Sequence, residues 1–153
     1  MTLIRRIVIV EDDPHDLELT IAALAQNRLA NEVVALRDGV EALDYLYQRG
    51  NHALRHGGDP AIVLLDLKLP KIDGLGVLRA LKGDERMKHI PIVMLTSSRE
   101  ERDLIESYRL GVNAYVVKPV DFASFIDAVK QIGSFWAVIN QVPPGPAAPG
   151  TYD

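Results

Sequence analysis

The sequence predicts an α/β fold built on a parallel five-stranded sheet, and three observations indicate it. The run Ala61–Leu65 is wholly apolar and ends in the carboxylate of Asp66, as in a strand that is buried on both faces. Similar short apolar runs alternate five times with segments of helical periodicity. That spacing demands crossover connections, which join parallel strands.

Three acidic residues separate the first predicted strand from the first helix. The strand covers Leu3–Val10 and is followed by Glu11, Asp12 and Asp13. Pro14 suits the first turn of a helix, with Asp13 as its N-cap. The apolar residues of this helix recur at helical spacing: Leu17, Ile21 and Leu24.

A second strand and helix follow, and a long loop comes after them. The strand is predicted at Asn31–Leu36, and the helix opens at Asp38-Gly39 with Glu41 completing a capping box. Its inner face comprises Ala42, Leu43 and Leu46. The polar, Gly-rich stretch Arg49–Asp59 is longer than most connections from a helix to a strand.

The third and fourth helices flank a fourth strand at Ile90–Leu95. The third helix begins at Asp73-Gly74, and its apolar residues are Val77, Leu78 and Leu81. The fourth helix ends near Gly111, which we expect at the C′ position. We expect three of its side chains to be buried: Leu104, Ile105 and Tyr108.

The fifth strand is predicted at Asn113–Val117 and the last helix at Asp121–Ile139. One face of that helix carries Phe122, Phe125, Ile126, Val129, Ile132 and Trp136. We therefore expect one domain over residues 1–139. Residues 140–153 are rich in Pro, Gly and Ala, which favours a disordered tail.

Right-handed crossovers favour the strand order 2-1-3-4-5, the flavodoxin-like arrangement. Its switch point, where ligands bind, lies between the first and third strands. Those strands end in Glu11-Asp12 and in Asp66. The sequence therefore predicts that these carboxylates meet at one crevice.

Composition excludes several classes of site. The chain has 153 residues and no cysteine, which excludes disulfides and thiolate chemistry. The net charge of -4 offers no basic surface for nucleic acid or an anionic membrane. No signal peptide and no membrane-spanning run is visible, so we expect a cytoplasmic protein.

Carboxylates that share a crevice repel one another and have raised pKa values unless a cation is present. A site of oxygen ligands with room for water suits Mg²⁺. Donors for phosphoryl oxygens come from the next two strand ends, namely Thr96, Ser97 and Lys118. Asp66 lies between the acids and these donors, so we expect it to be the nucleophile. Taken alone, Asp66 is equally well explained as a helix cap or turn residue.

Together the strand ends resemble the receiver domains of two-component response regulators, from Ile7 to about Ile132. The signatures are the Glu11-Asp12 pair, Leu65-Asp66 with Pro70 and Asp73-Gly74, Thr96-Ser97, and Lys118-Pro119. The resemblance implies that Asp66 accepts a phosphoryl group from a phosphohistidine of a sensor kinase. It also implies a protein that catalyses its own phosphorylation and slow dephosphorylation, not an enzyme acting on a metabolite.

The resemblance assigns roles to further residues. Asp12 would bind Mg²⁺ directly and Glu11 through water, with Asp66 and the Lys68 backbone carbonyl as further ligands. Thr96 and Tyr115 match the family's switch pair, and Lys118-Pro119 resembles the family's cis bond. Residues Lys68 and Ser98 stand where the family tunes the dephosphorylation rate.

The long loop and the ending Ile132–Trp136 resemble, more narrowly, the single-domain regulators that pair with phytochrome kinases. That resemblance implies a homodimer in which Phe135 and Trp136 supply apolar contacts, and a stand-alone receiver that signals by protein contact. The alternative is that both rings close the domain's own core.

Three other functions are compatible with this fold. A flavin mononucleotide carrier needs hydrogen-bond donors after the first strand, where this chain has three acids that would repel a phosphate. A Mg²⁺-dependent phosphohydrolase places a second acid two residues after its nucleophile, where this chain has Lys68. A degenerate docking module would not require the full set of site residues.

Overall fold

The computed structural model describes residues 4–25, 30–97, 101–118 and 121–131. Within these ranges the strands are β1 (Ile4–Val10), β2 (Ala30–Leu36), β3 (Ile62–Asp66), β4 (Ile92–Thr96) and β5 (Ala114–Val117). The helices are α1 (Pro14–Ala25), α2 (Gly39–Tyr47), α3 (Gly74–Lys82), α4 (Glu101–Arg109) and α5 (Phe122–Gln131), with a 3₁₀ helix at Gly50–His52. Residues 132–153, which include the end of the predicted last helix and the tail, lie outside the described residues. None of the described helices has the length and apolar character needed to cross a lipid bilayer.

The strands form one parallel sheet in the order β2-β1-β3-β4-β5, which confirms the predicted order and fold class. Its register aligns the carboxyl ends of the inner strands. Val10 of β1 pairs with Leu65 of β3, and Asp66 pairs with Leu95 of β4. Thr96 of β4 pairs with Val117 of β5. Residues that follow these pairs therefore converge on one edge of the sheet.

The sheet separates two apolar layers, as expected for a strand period of two. Val8 and Val10 of β1 join the layer that contains residues of α2 and α3, whereas Ile7 and Ile9 join the layer beneath α1 and α5. All five residues of β3 are buried. The central strand, which ends in Asp66, is therefore held on both faces.

Acidic side chains cap α1, α2 and α3, and Asp121 Oδ1 caps α5 by accepting from the Ser124 N–H at 2.7 Å. Asp13 Oδ1 accepts hydrogen bonds from the backbone N–H groups of His15 and Asp16, at 2.8 and 3.1 Å. Asp38 and Asp73 accept from N–H groups three residues ahead, at 2.7 and 2.8 Å. These bonds satisfy donors that have no partner within the helix.

The prediction for the buried face of α4 is wrong. Leu104, Ile105 and Tyr108 are 38%, 56% and 46% exposed, whereas Ser107 is fully buried. Periodicity locates an apolar stripe but does not specify which side of a helix meets the sheet, and here the side carrying Ser107 does. Gly111 has the positive φ of 103° expected at C′.

The long loop after α2 is fastened to the domain by two arginines. The Arg55 guanidinium lies 4.2 Å from the centre of the Tyr45 ring and donates to the Tyr45 carbonyl at 2.6 Å. Arg6 of β1 donates to the Gly58 carbonyl at 2.8 Å. These contacts give the loop a defined path back to β3.

The ammonium of Lys82 ties together three segments at the amino edge of the sheet. It donates to the carbonyls of Lys88 and Ile90 at 2.9 and 2.8 Å, and to Asn113 Oδ1 at 3.1 Å. Asn113 Oδ1 also accepts from the Ile92 N–H at 2.8 Å. Burial lowers the pKa of Lys82. The group therefore connects the end of α3 to the starts of β4 and β5.

We expect Lys82→Met to lower the free energy of unfolding by about 2 kcal/mol, because it leaves half-buried acceptors without their donor. Urea unfolding measures the change. Arg79→Met is the matched control, since Arg79 lies on the same helix, is exposed and pairs with Glu106 at a distance of 4.0 Å. An equal loss in both variants would contradict this role for Lys82.

Candidate functional site

Three carboxylates meet at the carboxyl edge of the sheet, as predicted. Glu11 and Asp12 follow β1, and Asp66 ends β3. One oxygen from each lies within 4.8 Å of the others. Glu11 and Asp66 are 2% and 6% exposed, whereas Asp12 is open to solvent. The geometry suits a divalent cation that enters from the Asp12 side.

Burial is the largest influence on two of these acids. It raises the pKa of Glu11 to about 7, and the charge of Asp66 raises it as well, against the lowering effect of a hydrogen bond from Lys118. Burial also raises the pKa of Asp66, which the charge of Lys118 lowers in part. Raised values are what the sequence predicts for clustered acids without a cation.

Lys118 provides positive charge to this cluster. Its Nζ lies 2.5 Å from Glu11 Oε1, 3.1 Å from Asp16 Oδ2 and 3.3 Å from Asp66 Oδ2. Burial alone would lower the pKa of Lys118, but the three carboxylates raise it above its ordinary value. The residue follows β5, and its backbone N–H donates to the Thr96 carbonyl at 2.8 Å. This hydrogen bond to the end of β4 fixes the position of the Lys118 backbone, from which the side chain reaches the carboxylates.

The turn after β3 brings backbone groups to Asp66. The Lys68 N–H donates a hydrogen bond to the Asp66 carboxylate, which lowers its pKa. The Gly74 N–H donates to the Leu67 carbonyl at 2.8 Å. A Cβ on Gly74 would lie 2.3 Å from the Asp66 carbonyl oxygen, so glycine is required there for the chain to turn this closely.

The predicted phosphate-binding and switch residues lie at or near the same edge. Thr96 is buried at the end of β4, and Ser97 is exposed directly after it. Tyr115 pairs with Met94 in the sheet and packs, half-buried, against the layer of α2 and α3. Ser98, Pro119, Phe135 and Trp136 lie outside the described residues.

Sequence reasoning assigned no role to Asp16, which contacts Lys118 directly. A signal for it was present in the predicted start of α1. Because α1 begins four residues after β1 ends, its first turn lies beside the strand ends. An acid in that turn is therefore close to the cluster.

An open cleft of about 520 Å³ adjoins Asp12. The turn after β3 forms one wall, and Arg102 and Asp103 of α4 contribute to the other. The cleft gives a ligand access to the acidic cluster from solvent. Acids and an ammonium group around one buried carboxylate are groups that phosphoryl transfer to that carboxylate requires.

We expect Asp66→Asn to raise the melting temperature of the metal-free protein at pH 8 by roughly 2–4 °C, the shift that about 1 kcal/mol produces in a domain of this size. The raised pKa values mean that the folded protein holds protons that the unfolded chain has lost, so stability falls as pH rises from about 4.5 to about 7. The advantage of the variant should shrink at pH 5.

Thermal melts at both pH values, with Glu18→Gln as the control, measure this effect. Glu18 is an exposed acid on α1. A variant that is no more stable than the wild type at pH 8 would show that the carboxylates do not repel one another appreciably.

Three relatives are similar to this chain over most of its length. The solved bacteriophytochrome response regulator AtBRR is 62% identical, with a TM-score of 0.81, over 90% of this chain and 99% of its own. The phosphorylated cyanobacterial phytochrome response regulator RcpA is 42% identical, with a TM-score of 0.71, over 86% of this chain and 93% of its own.

The third relative is the response regulator Rcp1 of Synechocystis sp., which is 39% identical over 85% of this chain and 87% of its own. A solved Mn²⁺-bound form of Rcp1 matches with a TM-score of 0.69 and 37% identity over 86% of this chain and 94% of its own.

Residues 7–130 match the family described as the response regulator receiver domain. That match includes β1 from Ile7 onward, the other four strands and the acidic cluster at their carboxyl edge. The chain therefore belongs to the response regulator receiver domain family, a family of signalling proteins, and is related to the phytochrome response regulators.

Proposed function

We propose that this protein is a single-domain response regulator that accepts a phosphoryl group on Asp66 from a sensor histidine kinase. One observation carries the proposal. Asp66 is a buried carboxylate at the end of the central strand, with carboxylate oxygens of Glu11 and Asp12 within 4.8 Å and Lys118 Nζ at 3.3 Å. A nucleophile in that position has both counter-charge and fixed geometry.

The reaction forms a bond between an Asp66 carboxylate oxygen and phosphorus as the phosphorus–nitrogen bond of a phosphohistidine breaks. The leaving imidazole nitrogen takes up a proton. Lys118, the Thr96 hydroxyl and the Ser97 N–H are the groups proposed to bind the transferring oxygens. Hydrolysis would later transfer the phosphoryl group to water and restore the carboxylate.

Glu11, Asp12, Asp66 and the Lys68 carbonyl are the proposed ligands of Mg²⁺. Their oxygen donors suit a hard cation, and burial raises the pKa values of Glu11 and Asp66 in spite of Lys118, so a further positive charge would favour their ionised forms. When bound, the ion neutralises charge on the phosphoryl oxygens. A Mn²⁺-bound form of the relative Rcp1 supports a divalent ion in this fold.

The proposed output is a change of surface that begins at Thr96 and Tyr115. A phosphoryl group adds about -1.5 to -2 charge and three acceptors, which is enough to draw the Thr96 hydroxyl and reorder the following loop. Tyr115 would then turn inward. The exposed apolar side chains of α4 form part of the surface that a downstream protein would contact.

The kinase is proposed to be a phytochrome, because the relatives AtBRR and RcpA are described as phytochrome response regulators. Phosphate exchange with a kinase that uses ATP implies a cytoplasmic location. A homodimer, with Phe135 and Trp136 at its interface, completes the proposal. The phosphohydrolase alternative is weaker because Lys68 occupies the position of its second acid, which favours slow turnover.

We expect the wild-type protein to gain the mass of one phosphoryl group on incubation with acetyl phosphate and Mg²⁺. Asp66→Asn should gain none, because an amide is not a nucleophile of this kind, and EDTA should prevent the gain in the wild type. Intact-mass spectrometry measures it, with Glu18→Gln as a variant that behaves as the wild type. Equal phosphorylation of the Asp66→Asn variant would contradict the assignment.

Transfer of labelled phosphate identifies the kinase class. A phytochrome histidine kinase with labelled ATP should transfer label to this protein, and the rate should differ between red-light and dark conditions. Transfer from non-photosensory kinases at an equal rate would count against the phytochrome partner while leaving Asp66 as acceptor.

We expect the full chain to sediment as a dimer and a chain ending at residue 133 to sediment as a monomer, because the truncation removes both proposed aromatic contacts. Sedimentation velocity over a concentration series measures the change, and circular dichroism checks that the shortened chain is folded. A Phe135→Ala, Trp136→Ala variant of full length is the matched control. A dimer in both altered proteins would exclude these rings as the interface.

A further inference from the structure

The ammonium of Lys118 has three N–H donors and lies close to three carboxylates. Within the described residues it lies 2.5 Å from Glu11, 3.1 Å from Asp16 and 3.3 Å from Asp66. By hydrogen-bond geometry its bonds go to Glu11 and Asp16, which hold the nitrogen slightly back from Asp66. Two of the three donors are therefore committed to Glu11 and Asp16 before any phosphoryl group arrives.

The three partners differ in burial. The side chains of Glu11 and Asp66 are 2% and 8% exposed, whereas that of Asp16 is 36% exposed. A buried carboxylate that loses its partner is left without solvation, which is costly. Asp16 can exchange its contact with Lys118 for water at small cost. Asp16 is therefore the partner that Lys118 gives up most easily.

The position of Asp16 is fixed by α1 and does not depend on Lys118. Its backbone N–H donates to Asp13 Oδ1 at 3.1 Å in the first helical turn. A negative charge is favourable at this end of a helix. The backbone of Asp16 thus stays beside the acidic cluster whichever way the ammonium turns.

We infer that Asp16 is a positioning residue that holds Lys118 in the unphosphorylated protein and competes with the phosphoryl group for it. The inference rests on the proposed function of Asp66. A phosphoryl group on Asp66 draws the ammonium toward its own oxygens, and Asp16 opposes this in two ways. It retains one N–H of Lys118, and its charge repels the arriving oxygens.

Asp16→Asn separates charge from shape, because the amide keeps an oxygen that can accept from Lys118. The probe is beryllofluoride with Mg²⁺, a stable mimic of the phosphoryl group on an aspartate. We expect the half-saturating concentration for Asp16→Asn to be at least about threefold lower than for the wild type at low salt, with a smaller difference at high salt. Thermal-shift titration measures it.

Three further variants test the contact. Asp16→Glu keeps the charge and should bind within about twofold of the wild type, by the same Coulomb reasoning. Asp16→Ser removes the charge by a different route and should also bind more tightly. Glu18→Gln removes an exposed acid from the same helix and should leave binding unchanged. Melting temperatures without metal or beryllofluoride show any purely structural effect separately.

The outcomes distinguish the inference about Asp16 from a general effect of net charge and from failure of the proposed function. Unchanged or weaker binding by both Asp16→Asn and Asp16→Ser overturns the inference, as does equal tightening by Glu18→Gln, which would show a general effect of net charge. If the wild type itself does not respond to beryllofluoride and Mg²⁺ and gains no mass with acetyl phosphate, the proposed function of Asp66 fails, and the inference fails with it.

Discussion

The concentration of negative charge at the carboxyl edge of the sheet constrains the rest of the site. Val10 pairs with Leu65, so the next residues along, Glu11 and Asp66, are brought together by the β1–β3 ladder and cannot separate without breaking it. Both are buried, and separating the two strands would leave buried backbone groups without hydrogen-bond partners, which is costly. The ammonium of Lys118, reaching over from beyond β4, compensates part of this charge. The negative charge that Lys118 does not compensate favours a bound cation at this site.

The fold places Asp66 in a buried strand, whereas the helix α4 is partly exposed to solvent. Asp66 ends a strand that is covered on both faces, so its position is set by packing on either side of the sheet. The helix α4 instead turns apolar side chains outward. Thr96, at the end of β4, lies between these two regions along the chain. The proposed function would use this combination, with Asp66 as the fixed acceptor and the exposed face of α4 as part of the contacted surface.

Sequence alone predicts most of this arrangement, for identifiable physical reasons. Strand order follows from the number of crossovers and their handedness, and the caps at Asp13, Asp38 and Asp73 follow from local hydrogen bonding. The orientation of α4 is a tertiary property, so periodicity misplaces the side carrying Ser107. The start of α1 brings Asp16 near the acidic cluster, but its pairing with Lys118, 102 positions along the chain, is a tertiary contact that no local pattern specifies.

Lys82 connects three segments at one end of the sheet. Its ammonium ties the end of α3 to the beginnings of β4 and β5, at the edge of the sheet opposite the acidic cluster. Those two strands are clamped at one end and carry Thr96 and Lys118 at the other. Sliding of β4 against β5 at their beginnings would therefore break hydrogen bonds made by a single side chain.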